Sequence, residues 1–317
     1  MGAVDHLRFA FVDVFADRPL SGNPVTVVAD ADGLEPDTMR ALAREFHQSE
    51  TVFVCRPSAP EAARRFVSYT AAGVEVFGAG HHVLGAWAWL DAEGQAGNGP
   101  STSLVHEIGD ELLGVEVLRT SGALPRVVLD QAPLLEPRPV HAGTDLAAAL
   151  GLEPVELDAT AHVLSTGVGH LHVGVRDRDA VDRVVVEPRA LARLLADAGA
   201  EGCYVYTTSG PRPGAEDGGL ADGGLAEGGA ADPGAAAYAR FFNPTVGIDE
   251  DPATGTAAGP LAAALVRWGR ADPAQTVVLA QGHAAGRPSL IHVDVEPTRV
   301  RISGTAVVAG TGTIAIP

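Results

Sequence analysis

Short apolar runs separated by glycine- and proline-containing turns recur through the first 132 residues. Their alternation and length predict strands at 9–15, 23–30, 51–55, 64–70, 112–119 and 126–132. A helix is predicted around 38–47, where Met39, Leu42 and Phe46 fall near helical spacing and Asp37 can cap the N-terminus. A second helix is predicted at 80–94, after a glycine turn. This mixture of elements favours an α+β fold.

A second half opens after the proline-rich segment 131–140. Helices are predicted at 144–150 and 188–198, and strands at 162–167, 170–177, 203–209, 289–295, 299–309 and 312–317. Residues 238–269 run from a strand through a loop into a helix. The segment 210–237 contains two tandem copies of GGLA followed by Asp or Glu and offers almost nothing to bury, so we expect a mobile surface insertion.

Two segments repeat the same order of features. Residues 65–90 and 239–266 each contain an Arg-Phe strand, a loop with acidic residues, a small-residue turn and an alanine-rich helix. The 317 residues also exceed one typical core of about 100–150 residues. We therefore expect two similar domains, 1–132 and 133–317, with the last strand a candidate to pack on the first domain.

Composition and charge narrow the classes of partner. Hydrophobic residues make up 46% and charged residues 20% of the chain, which suits a packed interior. The net charge of −18 argues against nucleic-acid and membrane-surface partners, while backbone N–H groups can still bind a small anionic metabolite. No apolar run reaches the roughly 18–20 residues of a membrane span, and the N-terminal residues do not resemble a signal peptide. We expect a cytoplasmic protein.

The two repeated turns are candidate ligand sites. Helix N-termini carry unpaired N–H groups and a partial positive charge, so the turns at 79–81 and 254–256 could bind a carboxylate from opposite walls of one cleft. Glu50 and Asp251 could supply carboxylates whose desolvation raises the pKa into the range useful for proton transfer. The alternative is that Glu50 is a solvated strand-edge charge and Asp251 only caps its helix.

Other residues give weaker signals. His170 and His172 form an H-x-H pair on one face of a strand, but no third metal ligand is evident, and we expect no metal site. Cys55 and Cys203 lie in strand-like runs and are expected to be buried thiols. No phosphate-binding glycine motif or Walker lysine is present. Asn23 is either a turn residue or a substrate contact.

Several motifs together resemble the PhzF (phenazine biosynthesis) family. They are spread over nearly the whole chain: FVDVFADRPLSGNPVTVV (11–28), ALAREFHQSETVFV (41–54), EVFGAGHHVLGAWA (75–88), VVLDQAPL (127–134), VLSTGVGHLHVGVRD (163–177), DEDPATGTAAGPLAAALV (249–266) and QGHAAGRPSL (281–290). The glycine- and alanine-rich insertion lacks a counterpart. The combination of SET, AGH, DPATG and GRPS is specific.

The resemblance implies a diaminopimelate-epimerase-like fold, in which each of two domains is a curved mixed β-sheet wrapped around a central helix. It also implies a homodimer with no metal and no organic cofactor. Glu50 stands at the position of the family's acid/base, His81 at a histidine that assists proton transfer, and Asp251 at the second carboxylate. We predict substrate contacts at Asn23, Gly80, His82, Thr254, Gly255 and Thr256, with the role of Asn23 as a turn residue left open.

Three departures from the family pattern affect the cleft. Thr256 stands where the family has Ser, His82 where it usually has Pro, and Phe77-Gly78 where Pro-Phe is usual. None removes an acid/base group, so we predict a cofactor-independent isomerase that relocates a proton or double bond in a small unsaturated or cyclic carboxylic acid of a biosynthetic pathway. The alternatives are an amino-acid racemase or epimerase on the same fold, which uses two facing cysteines, and a non-catalytic ligand-binding protein.

Overall fold

The computed structural model describes residues 5–77, 80–209 and 234–316, whose strands form one continuous hydrogen-bonded sheet. The strands of the first half are β1 Asp5–Val14, β2 Asn23–Val28, β3 Glu50–Cys55, β4 Arg64–Thr70, β5 Glu75–Val76, β6 Ser101–Ile108, β7 Glu111–Leu118 and β8 Arg126–Gln131. Those of the second half are β9 Arg138–His141, β10 Thr160–Ser165, β11 Gly169–Gly174, β12 Cys203–Thr207, β13 Ala237–Asn243, β14 Ile248–Asp251, β15 Val277–Gln281, β16 Ser289–Glu296 and β17 Arg299–Ile316. The α-helices are α1 Pro36–Phe46, α2 His81–Ala92, α3 Thr144–Leu150, α4 Arg178–Asp182, α5 Pro188–Ala198 and α6 Gly255–Arg267.

The two halves repeat one strand arrangement. In the first, β2 is parallel to β3, β3 antiparallel to β4, and β4 parallel to β6. In the second, β11, β12, β13 and β15 follow in the same order with the same directions. The short strands β5 and β14 pair with β4 and β13 and precede α2 and α6. The predicted α+β fold, with mixed β-strands around a central helix in each half, is confirmed.

Helix α2 is the core of the first half, because strands contact it on several sides. It contacts β1, β2, β3, β7, β8 and β17, and nine of its residues are buried, so it lacks the polar face of a surface helix. Gly85 allows the strands to come this close. A Cβ at Gly85 would lie 2.5 Å from a methyl carbon of Val25 and 2.9 Å from one of Val14. Helix α6 has the matching place in the second half, against β10, β11, β15, β16 and β17.

The C-terminal strand joins the halves. Strand β17 pairs with β16 of its own half and with β1 and β8 of the first half. The prediction of two strands here is wrong, because the glycines at 310 and 312 do not interrupt the ladder. They lie opposite Phe11 and Phe9, and a Cβ at Gly312 would lie 2.8 Å from the Phe9 ring. The domain limits at 132 and 133 stay a prediction.

Other differences from the predicted elements are local. Strands β5, β6, β9, β14 and β15 and helix α4 are not predicted by the apolar pattern. Helix α1 begins at Pro36 with Glu35 at the N-cap, rather than at Asp37, because the fixed φ of proline suits the first helical position. Strand β13 begins at Ala237, inside the predicted insertion, while residues 210–233 lie outside the described part. None of the helices described is long and apolar enough to cross a bilayer.

Candidate active site

Glu50 and His81 meet at the end of the first half. Glu50 is the first residue of β3, and His81 is the first residue of α2. His81 Nε2 lies 2.7 Å from Glu50 Oε2, with side-chain exposures of only 7% and 12%. The hydroxyl of Ser49 lies 3.3 Å from the same imidazole nitrogen. The strand start and the helix start therefore bring a carboxylate and an imidazole into direct contact.

Their electrostatics favour an ion pair. Burial alone would raise the pKa of Glu50, but the charge of His81 and its contact with the carboxylate outweigh burial, and the pKa of Glu50 is lowered. Burial alone would lower the pKa of His81, but Glu50 outweighs it, and the pKa of His81 is raised. Glu50 is thus held as a carboxylate beside an imidazolium, in a state ready to accept a proton.

Asp251 approaches the same place from the second half. It ends β14, four residues before the start of α6, and is 6% exposed. Asn23 Nδ2 donates to its Oδ1 at 2.7 Å, and the Thr254 hydroxyl donates to its Oδ2 at 2.5 Å. Gln281 Nε2 donates to the Asp251 backbone carbonyl at 2.7 Å and to the Thr254 hydroxyl at 3.2 Å. The carboxylate is therefore held in a fixed orientation.

The pKa values of the two carboxyl groups are shifted in opposite directions, that of Glu50 downward and that of Asp251 upward. Burial raises the pKa of Asp251 to about 6, and the negative charge of Glu50 adds to this. The charge of His81 and the hydrogen bonds from Thr254 and Asn23 limit the rise. A carboxyl with this pKa exchanges a proton readily near neutral pH, whereas Glu50 stays ionised. Such a separation of pKa values distinguishes an acid from a base.

These groups line a cavity of about 440 Å³ between the N-termini of α2 and α6. Its apolar walls come from both halves and consist of Val74, Val76, Phe77, Val168, Phe241, Val246 and Ile248. The backbone at the first turns of the two helices also faces it, through Gly80 and Gly255. The cavity can therefore enclose a small molecule, with N–H groups available for a carboxylate.

Eight of the nine predicted site residues line this cavity: Glu50, Gly80, His81, His82, Asp251, Thr254, Gly255 and Thr256. Asn23, predicted to be either a turn residue or a substrate contact, is not among the residues that line the cavity. It is fully buried behind Asp251, where its Nδ2 also donates to the Ala253 carbonyl at 2.8 Å. Its amide is occupied by protein groups, so it positions Asp251 instead of lining the cavity.

Two contributors were missed by sequence reasoning. Gln281 supports Asp251 and Thr254, and His170 lines the cavity with its Nε2 3.1 Å from the Thr256 hydroxyl. Burial lowers the pKa of His170 to about 3, so this imidazole is neutral. Both residues occur in segments that resemble the family, but only the three-dimensional structure identifies their partners. Of the two neighbouring residues that depart from the family pattern, Phe77 lines the cavity, whereas Gly78 lies outside the described residues.

The H-x-H pair His170 and His172 is not the group of possible metal ligands that the structure brings together. The ring nitrogens of His172 each lie 2.9 Å from a backbone carbonyl, those of His170 and Ala257. Among the residues described, the group of three possible metal ligands is instead Glu50, His81 and His82. This combination was not predicted, because His82 stands out in the sequence only as a departure from the family pattern.

The cysteines do not lie at the cavity. Cys55 and Cys203 are buried in β3 and β12, and burial raises the pKa of both thiols, that of Cys203 to about 12. Neither thiol is suited to give a thiolate. A racemase with two facing cysteines does not fit this arrangement.

Known proteins share the sequence and the fold. The family model for phenazine biosynthesis-like proteins (PhzC-PhzF) matches residues 12–214 and 224–312. A trans-2,3-dihydro-3-hydroxyanthranilate isomerase from Pseudomonas fluorescens is 31% identical, covering 98% of this chain and 99% of the relative. The structure of a predicted epimerase from Pseudomonas aeruginosa is 28% identical with a TM-score of 0.80, covering 97% and 99% of the two chains. The structure of a hydroxyproline epimerase from Agrobacterium vitis is 12% identical in sequence and shares the fold, with a TM-score of 0.63. The match covers 98% of this chain and 91% of the epimerase chain.

The protein is therefore an isomerase with the diaminopimelate-epimerase-like fold. The chain belongs to the PhzC-PhzF family of phenazine biosynthesis-like proteins. The family and the isomerase class predicted from the motifs are confirmed.

Proposed function

We propose that this isomerase moves a proton, and with it a double bond, within a small unsaturated or cyclic carboxylic acid of a biosynthetic pathway, without a cofactor. The observation that carries the proposal is the pairing of an ionised Glu50 with a protonatable Asp251 in one cavity. Proton relocation needs a base and an acid at separate carbons of one substrate, and these two groups come from opposite halves.

Glu50 is the base in this mechanism. It removes a proton from a carbon that conjugation with the substrate carboxylate makes acidic. His81, 2.7 Å from Glu50, keeps the carboxylate ionised before the transfer and can relay the proton after it. Asp251, with a pKa of about 6, holds or returns a proton at a distant carbon. The two helix N-termini bind the substrate carboxylate and stabilise negative charge that develops on it.

The substrate class follows from the cavity. Among the described residues that line it, none is an arginine, and the sequence has no lysine. Backbone N–H groups, the histidines, and the hydroxyl and amide groups of Thr70, Thr256 and Asn243 are therefore the donors available to a carboxylate. The relative from Pseudomonas fluorescens is named for trans-2,3-dihydro-3-hydroxyanthranilate, and this compound is the first substrate to test. Thr256, His82 and Phe77 line the cavity, and we expect them to change which small unsaturated or cyclic carboxylic acid the enzyme prefers. The protein acts as a homodimer in this proposal.

The test is hydrogen exchange in D₂O. The enzyme is incubated with trans-2,3-dihydro-3-hydroxyanthranilate and with a panel of conjugated cyclic and enamine acids, and deuterium incorporation and isomer formation are followed by mass spectrometry. We expect incorporation that depends on Glu50 and persists after thiol alkylation. The proposal fails if no acid in the panel exchanges, if Glu50→Gln exchanges as fast as the unmodified protein, or if alkylation abolishes the reaction.

A further inference from the structure

Three side chains of the types that bind transition metals converge at the start of α2. A carboxylate oxygen of Glu50 and one ring nitrogen each of His81 and His82 all lie within 4.8 Å of one another. The two imidazole rings are nearly perpendicular, at 82°, with centroids 5.9 Å apart, so they approach the common point from different directions. All three residues line the cavity.

Two imidazoles and one carboxylate form a donor set that suits zinc and related divalent transition ions rather than magnesium or calcium. Zinc bonds to such ligands are about 2.0–2.2 Å long, which places neighbouring donor atoms about 3.3 Å apart in a tetrahedron. The 2.7 Å contact between His81 and Glu50 would open by a few tenths of an ångström, and the His82 nitrogen, within 4.8 Å of both, would move to the same spacing. The cavity leaves room for water at the remaining position, as in zinc sites with three protein ligands.

Charge around the site also favours a cation. The partial positive charge at the start of α2 opposes one. Glu50 contributes a full negative charge at ligand distance, and the carboxyl of Asp251 lies close enough to interact electrostatically with both Glu50 and His81. The structure therefore offers two carboxyl groups against one helix end and the imidazolium of His81, whose proton the ion displaces on binding.

We propose that Glu50, His81 and His82 bind one divalent transition-metal ion, and that this ion inhibits the isomerase. The ion would occupy the lone pair of His81 and the carboxylate of Glu50, so neither could move a proton. Metal binding stands independently of the proposed function, whereas inhibition rests on it.

The test uses tag-free full-length protein dialysed against a chelator. Zn²⁺ binding is measured by calorimetry, and Co²⁺ is added as a spectroscopic probe whose visible absorption reports the ligand geometry. We expect one ion per chain, and a loss of affinity of more than about tenfold in His82→Phe. His170→Gln is the matched control, because it removes an imidazole from the same cavity but outside the group, and we expect it to bind Zn²⁺ like the unmodified protein.

The outcomes separate metal binding from catalysis. If His82→Phe does not fold, Glu50→Gln removes a different ligand with little change in shape and should weaken Zn²⁺ binding similarly. The proposal is overturned if the unmodified protein binds no Zn²⁺, or if both ligand variants bind it as well as His170→Gln does. Where turnover is found, Zn²⁺ should inhibit it at the concentrations that saturate binding, and unimpaired turnover at saturation overturns the inhibitory role. Absence of turnover with every substrate would count against the proposed function and leave the binding result intact.

Discussion

Asn23 donates a 2.7 Å hydrogen bond to Asp251, although 228 positions separate them in the sequence. The side-chain Oδ1 of Asn23 accepts from the Ser49 hydroxyl at 3.2 Å, and that hydroxyl lies 3.3 Å from His81 Nε2. One fully buried amide thus connects the carboxylate of the second half to the imidazole of the first. The relative position of the two proton-transfer groups depends on this residue.

Replacing Asn23 by leucine should make Asp251 harder to ionise. The variant keeps a similar volume but removes a donor to the carboxylate, and a hydrogen bond to a charged group is worth about 1.5–3 kcal/mol. At about 1.4 kcal/mol per pKa unit, the pKa of Asp251 should rise by one to two units. The carboxyl carbon of Asp251, followed by ¹³C NMR against pH, measures this shift directly.

Thr26→Val is the matched control for Asn23→Leu. Thr26 lies on the same strand, β2, and its hydroxyl is buried without a hydrogen-bond partner, so an isosteric valine should leave the titration of Asp251 unchanged. Equal shifts in the two variants would mean that general damage to β2 causes the effect. No shift in Asn23→Leu would show that the amide does not stabilise the carboxylate.

Replacing Glu50 by glutamine should affect both the reaction and the neighbouring imidazole. Loss of the base should lower kcat by about 10²–10⁴-fold. The pKa of His81 should fall, because the carboxylate that raises it is absent while burial still lowers it. Steady-state kinetics and a ¹⁵N NMR titration of His81 check the two parts. Near-normal turnover would exclude Glu50 as the base, and an unchanged His81 titration would contradict the ion pair.

Elements with strong local signals could be predicted from the sequence. The helices at 144–150 and 188–198 have the predicted limits, and α2 differs from its prediction only at the ends. Strand β14 could not be predicted, because its sequence IDED has three charged residues and its pairing with β13 is irregular. In the sequence, the glycines at 310 and 312 look like a break between two strands. Only the folded sheet shows that they pair with Phe11 and Phe9 within one strand, β17.

The site residues that belong to sequence motifs could be predicted. Glu50, His81 and Asp251 were identified from motifs, and their meeting depends on α2 and α6 having corresponding places in the two halves. The supporting contacts of Asn23 and Gln281 could not be predicted, since they depend on which side chains the folded sheet brings behind Asp251. Local periodicity contains no information about such partners.

Replacing Gly85 by alanine should destabilise the protein although alanine is the better helix former. The added Cβ would lie 2.5 Å from a Val25 methyl carbon, and such overpacking costs about 1–3 kcal/mol, against about 1 kcal/mol gained in helix propensity. Urea unfolding should therefore show a net loss. Val25→Ala removes the closer of the two clashes and leaves the 2.9 Å approach to Val14, so it should cost less in the Gly85→Ala background than alone. Additive effects of the two substitutions would contradict the steric explanation.

Replacing Asp251 by asparagine should change the pH dependence of stability in a defined direction. Because the pKa of Asp251 is raised from 3.8 to about 6, the folded protein binds this proton more tightly than the unfolded chain does. The stabilisation from that proton is complete below pH 3.8 and is lost as the pH rises through about 6, a change of up to about 3 kcal/mol. Asparagine has no such proton, so the stability of the variant relative to the unmodified protein should increase between pH 4 and pH 7. Urea unfolding of both proteins across this range measures the difference, which includes a constant term for the altered hydrogen bonds to Asn23 and Thr254. A difference that does not vary with pH would show that Asp251 titrates normally, and it could not then act as the acid near neutral pH.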